Sequence, residues 1–307
     1  MDLPLLFNPD SDYKYSTHAF NILAAVIEGA FGKSYANYMD DEIFQPLKMK
    51  QTFPENIKSL SEKDAKIYFL KKGNCKKEKF TNASYKLAGA GFRSTPSDLV
   101  KMMNAYTNGM ISEEVVKTMF ESHQLKDGKK THVGIVWRIS YDIYGNKVIE
   151  HAGSWRGART VIVHFPEEHL NIAIMINSTC QLLIEETAHL FAQLFRENKK
   201  SISPSKNLNK KVEMTFRSND KEEKYTGSII MKNGRGILAS NFDGFLKSNP
   251  IYYLGKGNDY IVITTFGLLY LNLNNETSLK GDLYFYSSRN DTNPRNNKSL
   301  ASIKEIE

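Results

Sequence analysis

From Thr17 to Phe31 the apolar residues Phe20, Ile22, Leu23, Val26, Ile27 and Ala30 recur at near-helical spacing, and Gly32 follows as a natural stop. The spacing predicts a helix there. Ser34 opens a second helical stretch, Tyr35 to Phe44, which Pro46 closes, while the polar, lysine-rich segment Lys48 to Lys86 reads as loop with some short helix. Thr95-Pro96-Ser97-Asp98 sets a capping threonine before a proline at the first helical position and an acid at the third. That order predicts a helix from Pro96 to about Tyr106. A shorter helix is predicted over Glu113 to Phe120, after which the period changes. Val133 to Ile139, Lys147 to His151, Thr160 to Phe165 and Leu170 to Asn177 read as strands of an antiparallel meander, separated by the turn residues Tyr144-Gly145-Asn146 and Pro166-Glu167-Glu168. Leu182 to Phe195 returns to helical spacing and is expected to pack on that sheet.

The polar run Glu197 to Lys211, with Lys199, Lys200, Pro204 and Asn209, looks like a linker. Beyond it, Val212 to Arg217, Tyr225 to Met231, Gly236 to Ser240, Tyr260 to Thr265, Leu268 to Leu273 and Asp282 to Tyr286 recur as short strands at the spacing of small sandwiches and barrels. Lys232-Asn233-Gly234 is a hairpin turn, because Asn and Gly tolerate positive φ, and Arg289 to Asn297 is asparagine-rich and loose. The fold class expected is α+β. A domain of antiparallel sheet with packed helices covers residues 1–198, a linker 199–211, and a small all-β, barrel-like domain 212–307.

Composition changes this picture little. The 41% hydrophobic and 24% charged residues are ordinary for a folding chain. The balance of 41 Lys and Arg against 34 Asp and Glu comes from lysines scattered along the whole length, which describes a solvated surface. The densest basic stretch, Lys71, Lys72, Lys76, Lys77 and Lys79, has only Tyr68, Phe69 and Phe80 as aromatic neighbours, so no nucleic-acid partner is expected. Cys75 and Cys180 form neither a disulfide framework nor a zinc-ligand spacing. His164 and His169, with Glu167 and Glu168, read as solvated surface in a turn and not as a metal site. There is no Gly-x-Gly-x-x-Gly and no P-loop, so no cofactor is indicated. No apolar run approaches the ~18 residues of a transmembrane helix, and Met1 to Phe7 carries an acid at position 2 and no basic region. The chain reads as soluble, without a signal peptide in these residues and with its compartment open, periplasmic or secreted included.

Several stretches carry chemistry, and they occur in a telling order. Tyr15-Ser16-Thr17 stands at the start of the first helix; Glu28 to Tyr35 and Ile43 to Thr52 follow; then come Ala88-Gly89-Ala90-Gly91-Phe92-Arg93-Ser94-Thr95-Pro96-Ser97-Asp98-Leu99, Val133-Gly134-Ile135-Val136-Trp137 and His151-Ala152-Gly153. In this order they resemble the serine beta-lactamase-like hydrolases: class C beta-lactamases, penicillin-binding proteins and D-Ala-D-Ala carboxypeptidases. The resemblance covers residues 5 to about 200, and the barrel-like domain resembles, by architecture alone, the lipocalin-like modules appended to some members. It implies an acyl-enzyme mechanism on an amide or ester. Tyr15 takes the place of the tyrosine that helps deprotonate the serine and protonates the leaving group, which needs positive charge nearby. Thr17 replaces the usual asparagine as a substrate contact. His151-Ala152-Gly153 stands for Lys-Thr-Gly, with His151 as a substrate contact, Gly153 admitting substrate to the strand edge and the Ser154 N–H as an oxyanion donor. Arg156, with Arg159 near it, is a further contact for a substrate carboxylate.

The nucleophile, a Ser-x-x-Lys on a helix, belongs many residues before the tyrosine, yet fourteen residues precede Tyr15. Matches at Ser203-Pro204-Ser205-Lys206 and Ser218-Asn219-Asp220-Lys221 fall in the linker and a hairpin, where chance explains them. The family's sheet also takes its first two strands from the absent region, so one edge of the meander is expected to be unpaired and apolar. The expected chain is a fragment of a longer protein, or folds with an upstream N-terminal polypeptide, or closes the gap in another way. Two functions compete. One is a serine hydrolase with a small-molecule or peptide substrate whose nucleophile segment is missing, so that this chain alone is inactive. The other is a non-catalytic remnant or pseudoenzyme that binds a peptide or mediates an interaction.

Overall fold

Helix α1 (Thr17–Phe31) forms where its apolar spacing predicts. Ser16 Oγ accepts the Ala19 N–H at its start, and Gly32, at φ 64°, closes it through an N–H to the Glu28 carbonyl. This structure is a computed structural model. It describes residues 4–307 apart from 57, 59, 72–73, 143–145, 180–183, 193, 196–206, 219–220, 233–234, 243–247, 254–257, 265–266, 276–278 and 286–300. The turns expected at 144–146 and 232–234, Cys180, the Ser-x-x-Lys matches at 203–206 and 218–221, most of the linker and the stretch 289–297 therefore lie outside the described residues, wholly or in part. The chain divides into two compact units, 1–140 with 147–180, and 141–146 with 181–307.

In the first unit α2 (Tyr35–Met39) runs into a wider π-helical turn, Asp40–Phe44, so the predicted second helix has two geometries. Glu28 Oε1 accepts the Tyr35 N–H at 2.7 Å and ties α1 to α2. The lysine-rich segment expected as loop with some short helix holds a short 3-10 helix, Ser84–Lys86, and three strands besides. β1 (Phe53–Pro54) pairs with β4 (Phe92–Arg93). β2 (Tyr68–Lys71) forms a hairpin with β3 (Asn74–Lys77) and lies parallel to β9 (Ser178–Thr179). Helices α3 (Leu87–Ala90), α4 (Pro96–Asn104) and α5 (Glu113–Met119) follow, α4 with the predicted threonine cap.

The meander is β5 (Arg138–Tyr141), β6 (Lys147–Trp155), β7 (Ala158–Phe165) and β8 (Leu170–Ile176), in that order. Its first strand is shorter than Val133 to Ile139, because Val136 takes φ 75°, outside the strand region. α4 lies against β7 and β8. Between them Met103, Phe120, Trp137, Ile139, Ile149 and Ile162 form a buried cluster. β8 is an edge of this sheet, and all its residues, mostly apolar, are only partly buried. α1 has no buried residue, and Ile22, Leu23, Val26 and Phe31 are 48–61% exposed.

The second unit contains α6 (Ile184–Ala192), the helix predicted over Leu182 to Phe195. Eight strands then close into a barrel in sequence order: β10 (Leu208–Ser218), β11 (Lys221–Lys232), β12 (Arg235–Ser240), β13 (Asn249–Tyr253), β14 (Asp259–Thr264), β15 (Gly267–Asn275), β16 (Lys280–Phe285) and β17 (Ala301–Glu305), with β17 pairing back on β10. β10 begins within the segment expected as linker. β13 and β17 were not legible in the sequence, being short, one with Pro250 inside it and the other following the asparagine-rich stretch. Alternate residues such as Val212, Met214, Ile229, Leu238, Ile251, Tyr260, Val262, Leu269 and Leu271 fill the barrel interior. On its outer side Ile261 and Tyr270 receive Leu190 of α6, so the helix expected to pack on the meander sets this side chain on the barrel instead.

Asp98 anchors the front of the first unit. It is 1% exposed, and its carboxylate accepts the Gln51 N–H at 2.7 Å, the Thr52 hydroxyl at 3.1 Å and the Lys101 ammonium at 2.7 Å. Burial pushes its carboxyl upward, but the Lys101, Gln51 and Thr52 hydrogen bonds outweigh burial and hold it below the ordinary 3.8. Asp98→Ala is expected to lower the unfolding free energy by about 3 kcal/mol at neutral pH, because it strands a buried hydrogen-bond network. A depressed carboxyl stabilises the fold above its unfolded value and loses that contribution as pH falls through its folded value. The gap between wild type and variant in denaturant titrations should therefore shrink below pH 3.8. A gap independent of pH contradicts this role.

Candidate active site

The Ser16 cap, itself in extended conformation, fixes the direction in which the chain enters α1, and residues 12–16 before it belong to no helix or strand. Tyr15, 51% exposed, thereby faces His151, with ring centroids 6.5 Å apart and planes inclined by 36°. His151 reaches this position through strand alternation, since Ile149, two residues earlier on the same face of β6, lies in the buried cluster. The two rings line a cavity of about 270 Å³ together with Lys14, Arg138, Gly134, Val136 and the α1 residues Phe20 and Leu23. A phenol and an imidazole thus meet beside two cations, against an apolar helix face.

The cavity wall at 133–137 is held under strain. A Cβ on Gly134 would lie 2.2 Å from the Met119 carbonyl oxygen, so glycine alone fits that approach. Val136 is in the left-handed region at φ 75°, an outlier for a β-branched residue.

The other expected site residues lie elsewhere. Thr17 is not among the residues lining this cavity; its side chain packs against α3, where a Cβ on Gly89 would stand 2.6 Å from Thr17 Cγ2. Gly153 faces Thr160, its cross-strand partner, whose Oγ1 would be 2.5 Å from an added Cβ. Ala152 is half-buried between His151 and Gly153. Ser154 and Arg156 line a second cavity of about 610 Å³, with Trp155, Gly157 and Arg159 of the same hairpin. The expected set is therefore divided between two cavities: Tyr15 meets His151 of mid-β6 at one, and Ser154 and Arg156 line the other at the hairpin tip.

Lys14, Arg138 and Val136 escaped the sequence reading as cavity residues, although each adjoins a residue it singled out. Another Ser-x-x-Lys, Ser11-Asp12-Tyr13-Lys14, also escaped it. It lies in non-helical chain, with Ser11 Oγ donating to the Asn8 carbonyl at 2.8 Å, so its serine and lysine do not share a helix face. His164 is not the solvated turn residue expected: it is 2% exposed within β7, its Nδ1 is 2.7 Å from Asn171 Oδ1, and burial above all holds its imidazole below its usual range. Among the described residues no three His, Cys, Asp or Glu are grouped to hold a metal ion. No described helix is long and apolar enough to cross a membrane.

Residues 1–189 match the family model described as Beta-lactamase. The chain is 39% identical over 192 residues to the serine beta-lactamase-like protein LACTB, mitochondrial, of Bos taurus, covering 54% of this chain and 34% of that protein. It is 22% identical over 253 residues to penicillin-binding protein 4* of Bacillus subtilis (strain 168), covering 74% of this chain and 53% of that one. It thus spans about a third to a half of the length of these relatives. Among solved structures, the octameric penicillin-binding protein homologue from Pyrococcus abyssi superposes with a TM-score of 0.53 at 19% identity, over 97% of this chain and 66% of that one. That likeness concerns the fold.

The strain at Val136 has a measurable sign. An L-residue held in the left-handed region costs about 1–2 kcal/mol, more than the roughly 0.5–1 kcal/mol that glycine costs through chain entropy. Val136→Gly should therefore unfold at higher denaturant concentration than Val136→Ala. The reverse order would show that residue 136 does not hold a positive φ in solution.

Proposed function

The chain belongs to the Beta-lactamase family of serine hydrolases, and from that premise we propose that its first unit supplies the substrate-binding side of an amide- or ester-cleaving site whose nucleophilic serine comes from a Ser-x-x-Lys segment outside these 307 residues. The observation that carries this reading is the meeting of Tyr15 and His151 at one cavity beside Lys14 and Arg138. A phenol oxygen at such a cavity is a group that can take a proton from a serine hydroxyl and hand it on to a leaving group.

In the proposed reaction the serine oxygen bonds to the substrate carbonyl carbon while its proton passes towards Tyr15. The oxyanion is held by backbone N–H groups, the Ser154 N–H among them. Tyr15 returns the proton to the departing amine or alcohol, leaving an acyl-enzyme that water hydrolyses to the acid and the free serine. Alternation along the β6–β7 ladder, closed by the two-residue loop Arg156-Gly157, supports the Ser154 assignment by directing its N–H to the edge of β6 away from β7. His151, Ala152 and Gly153 would line the acyl side. Thr17, packed on Gly89, would contribute only through its short hydroxyl, and Arg156 would contact a distal part of the substrate.

Two open surfaces suit a segment that brings the serine: the exposed face of α1 and the edge of β8. Covering the exposed parts of Ile22, Leu23, Val26 and Phe31 is worth roughly 4 kcal/mol in total. The barrel resembles lipocalin-like modules by architecture, but its interior is filled by side chains, which favours a stabilising role over carriage of a ligand. The alternative, a non-catalytic peptide-binding module, gains support from the non-helical setting of Ser11 and Lys14.

A fluorophosphonate probe separates these readings. The expected result is no labelling of this chain alone, and labelling of a serine on an added polypeptide that carries the Ser-x-x-Lys helix and its two strands. Tyr15→Phe should slow that labelling by about 100-fold or more, the usual contribution of a positioned acid–base group. Labelling of this chain by itself would refute an external nucleophile; no labelling in either arrangement would favour the binding module.

A further inference from the structure

The second cavity gathers cations that no other part of the fold accounts for. Lys76 comes from β3, Arg156 from the β6–β7 loop and Arg159 from β7, and they line about 610 Å³ of space together with a single acid, Glu78. That volume is within the range of small-molecule sites. Among the described residues, Lys76, Arg156, Arg159 and Glu78 form no ion pair with one another or with any other side chain. Three cations against one acid leave the cavity electropositive, and walls of low polarizability strengthen that field.

The cations stand on a fixed frame. Gly157, at φ 68°, lets the loop press on Ile67, since a Cβ there would be 2.6 Å from Ile67 Cβ. The Gly157 N–H donates to Thr179 Oγ1 at 2.8 Å, fastening the loop to β9. Arg159 Nη1 donates to the Trp155 and Ala158 carbonyls at 3.3 and 3.0 Å, which holds its guanidinium plane at the hairpin tip. Lys86 Nζ sits 3.6 Å from the Trp155 ring centroid and adds a further positive charge beside the cavity. Phe69 and Trp155 give the same cavity two flat apolar surfaces. Of the three cations Arg159 is thus held before a ligand arrives, which removes part of the ordering cost of binding.

We propose that this cavity is a binding site for a small anion carried on a flat apolar body, an aryl carboxylate or aryl phosphate, with Lys76, Arg156 and Arg159 holding the charge and Phe69 and Trp155 the ring. Anion binding here needs no nucleophile, so loss of acylation and loss of anion binding are separate outcomes, although Arg156 serves in both.

Trp155 reports on the site directly, because the chain's other tryptophan, Trp137, is in the buried cluster. Titration of the full chain with phenylacetate and with phenyl phosphate should give a saturable change in tryptophan emission that Trp155→Phe abolishes. Arg156→Glu and Lys76→Glu, both at exposed positions, should each weaken binding at least tenfold with an unchanged melting temperature, while Glu78→Gln should tighten it severalfold. Inorganic phosphate should bind at least tenfold more weakly than phenyl phosphate, and neutral benzyl alcohol should not saturate. Absence of a saturable change with both aryl anions, or wild-type affinity in both charge-reversal variants, overturns the site. Equal binding of inorganic and phenyl phosphate overturns the flat apolar body.

Discussion

The register of the β6–β7 ladder is the constraint on which the rest depends. It runs from Ile149 opposite His164 to Trp155 opposite Ala158. Because side chains alternate, one face of β6 sends Ile149 into the cluster with Phe120 and Trp137 and then His151 to the cavity it shares with Tyr15. The other face carries Val148 and Glu150 into the interior, where Glu150 accepts the Ser140 hydroxyl at 2.7 Å. A slip of one residue would exchange these faces, burying His151 and pulling Glu150 away from Ser140. The same ladder delivers Ser154 and Arg156 to the hairpin tip, so both cavities are consequences of one register.

Against that rigid strand, α1 is fixed by its ends and left open along its side. Ser16 and Gly32 cap it, Glu28 ties it to α2, and Thr17 rests on Gly89. None of its residues is buried. An apolar helix face and an apolar sheet edge in one unit are costly to leave in water, and the proposed partner segment would cover both while bringing in the reacting oxygen. Chemistry and stability would then depend on the same contact.

Much of this was legible in local signals. The helices α1 and α4 carry their own caps in Ser16, Gly32 and Thr95, and β6 to β8 show strand period with turn residues between β7 and β8. Signals failed where a distant contact decided the outcome. β2 and β3 are hidden by lysines, and β2 has its second partner in β9, more than a hundred residues on. β5 loses its first half because Gly134 must pass close to Met119 and Val136 turns into positive φ beyond it. Tyr15 and His151 were paired only through the resemblance, since no periodicity relates residues so far apart. The division of the site residues between two cavities follows from the hairpin tip's attachment to Ile67 and Thr179, which no spacing reveals.

The central claim is that α1 and β8 are open surfaces awaiting the segment that carries the serine. Amide hydrogen exchange measures this residue by residue. The expected result is rapid exchange along α1 and at the free edge of β8 in the chain alone, against slow exchange in β6 and β7, and at least tenfold slower exchange in both elements once a polypeptide bearing the Ser-x-x-Lys helix and its strands is added. Protection of α1 and β8 in the isolated chain equal to that of β6, unchanged by the added polypeptide, would contradict it.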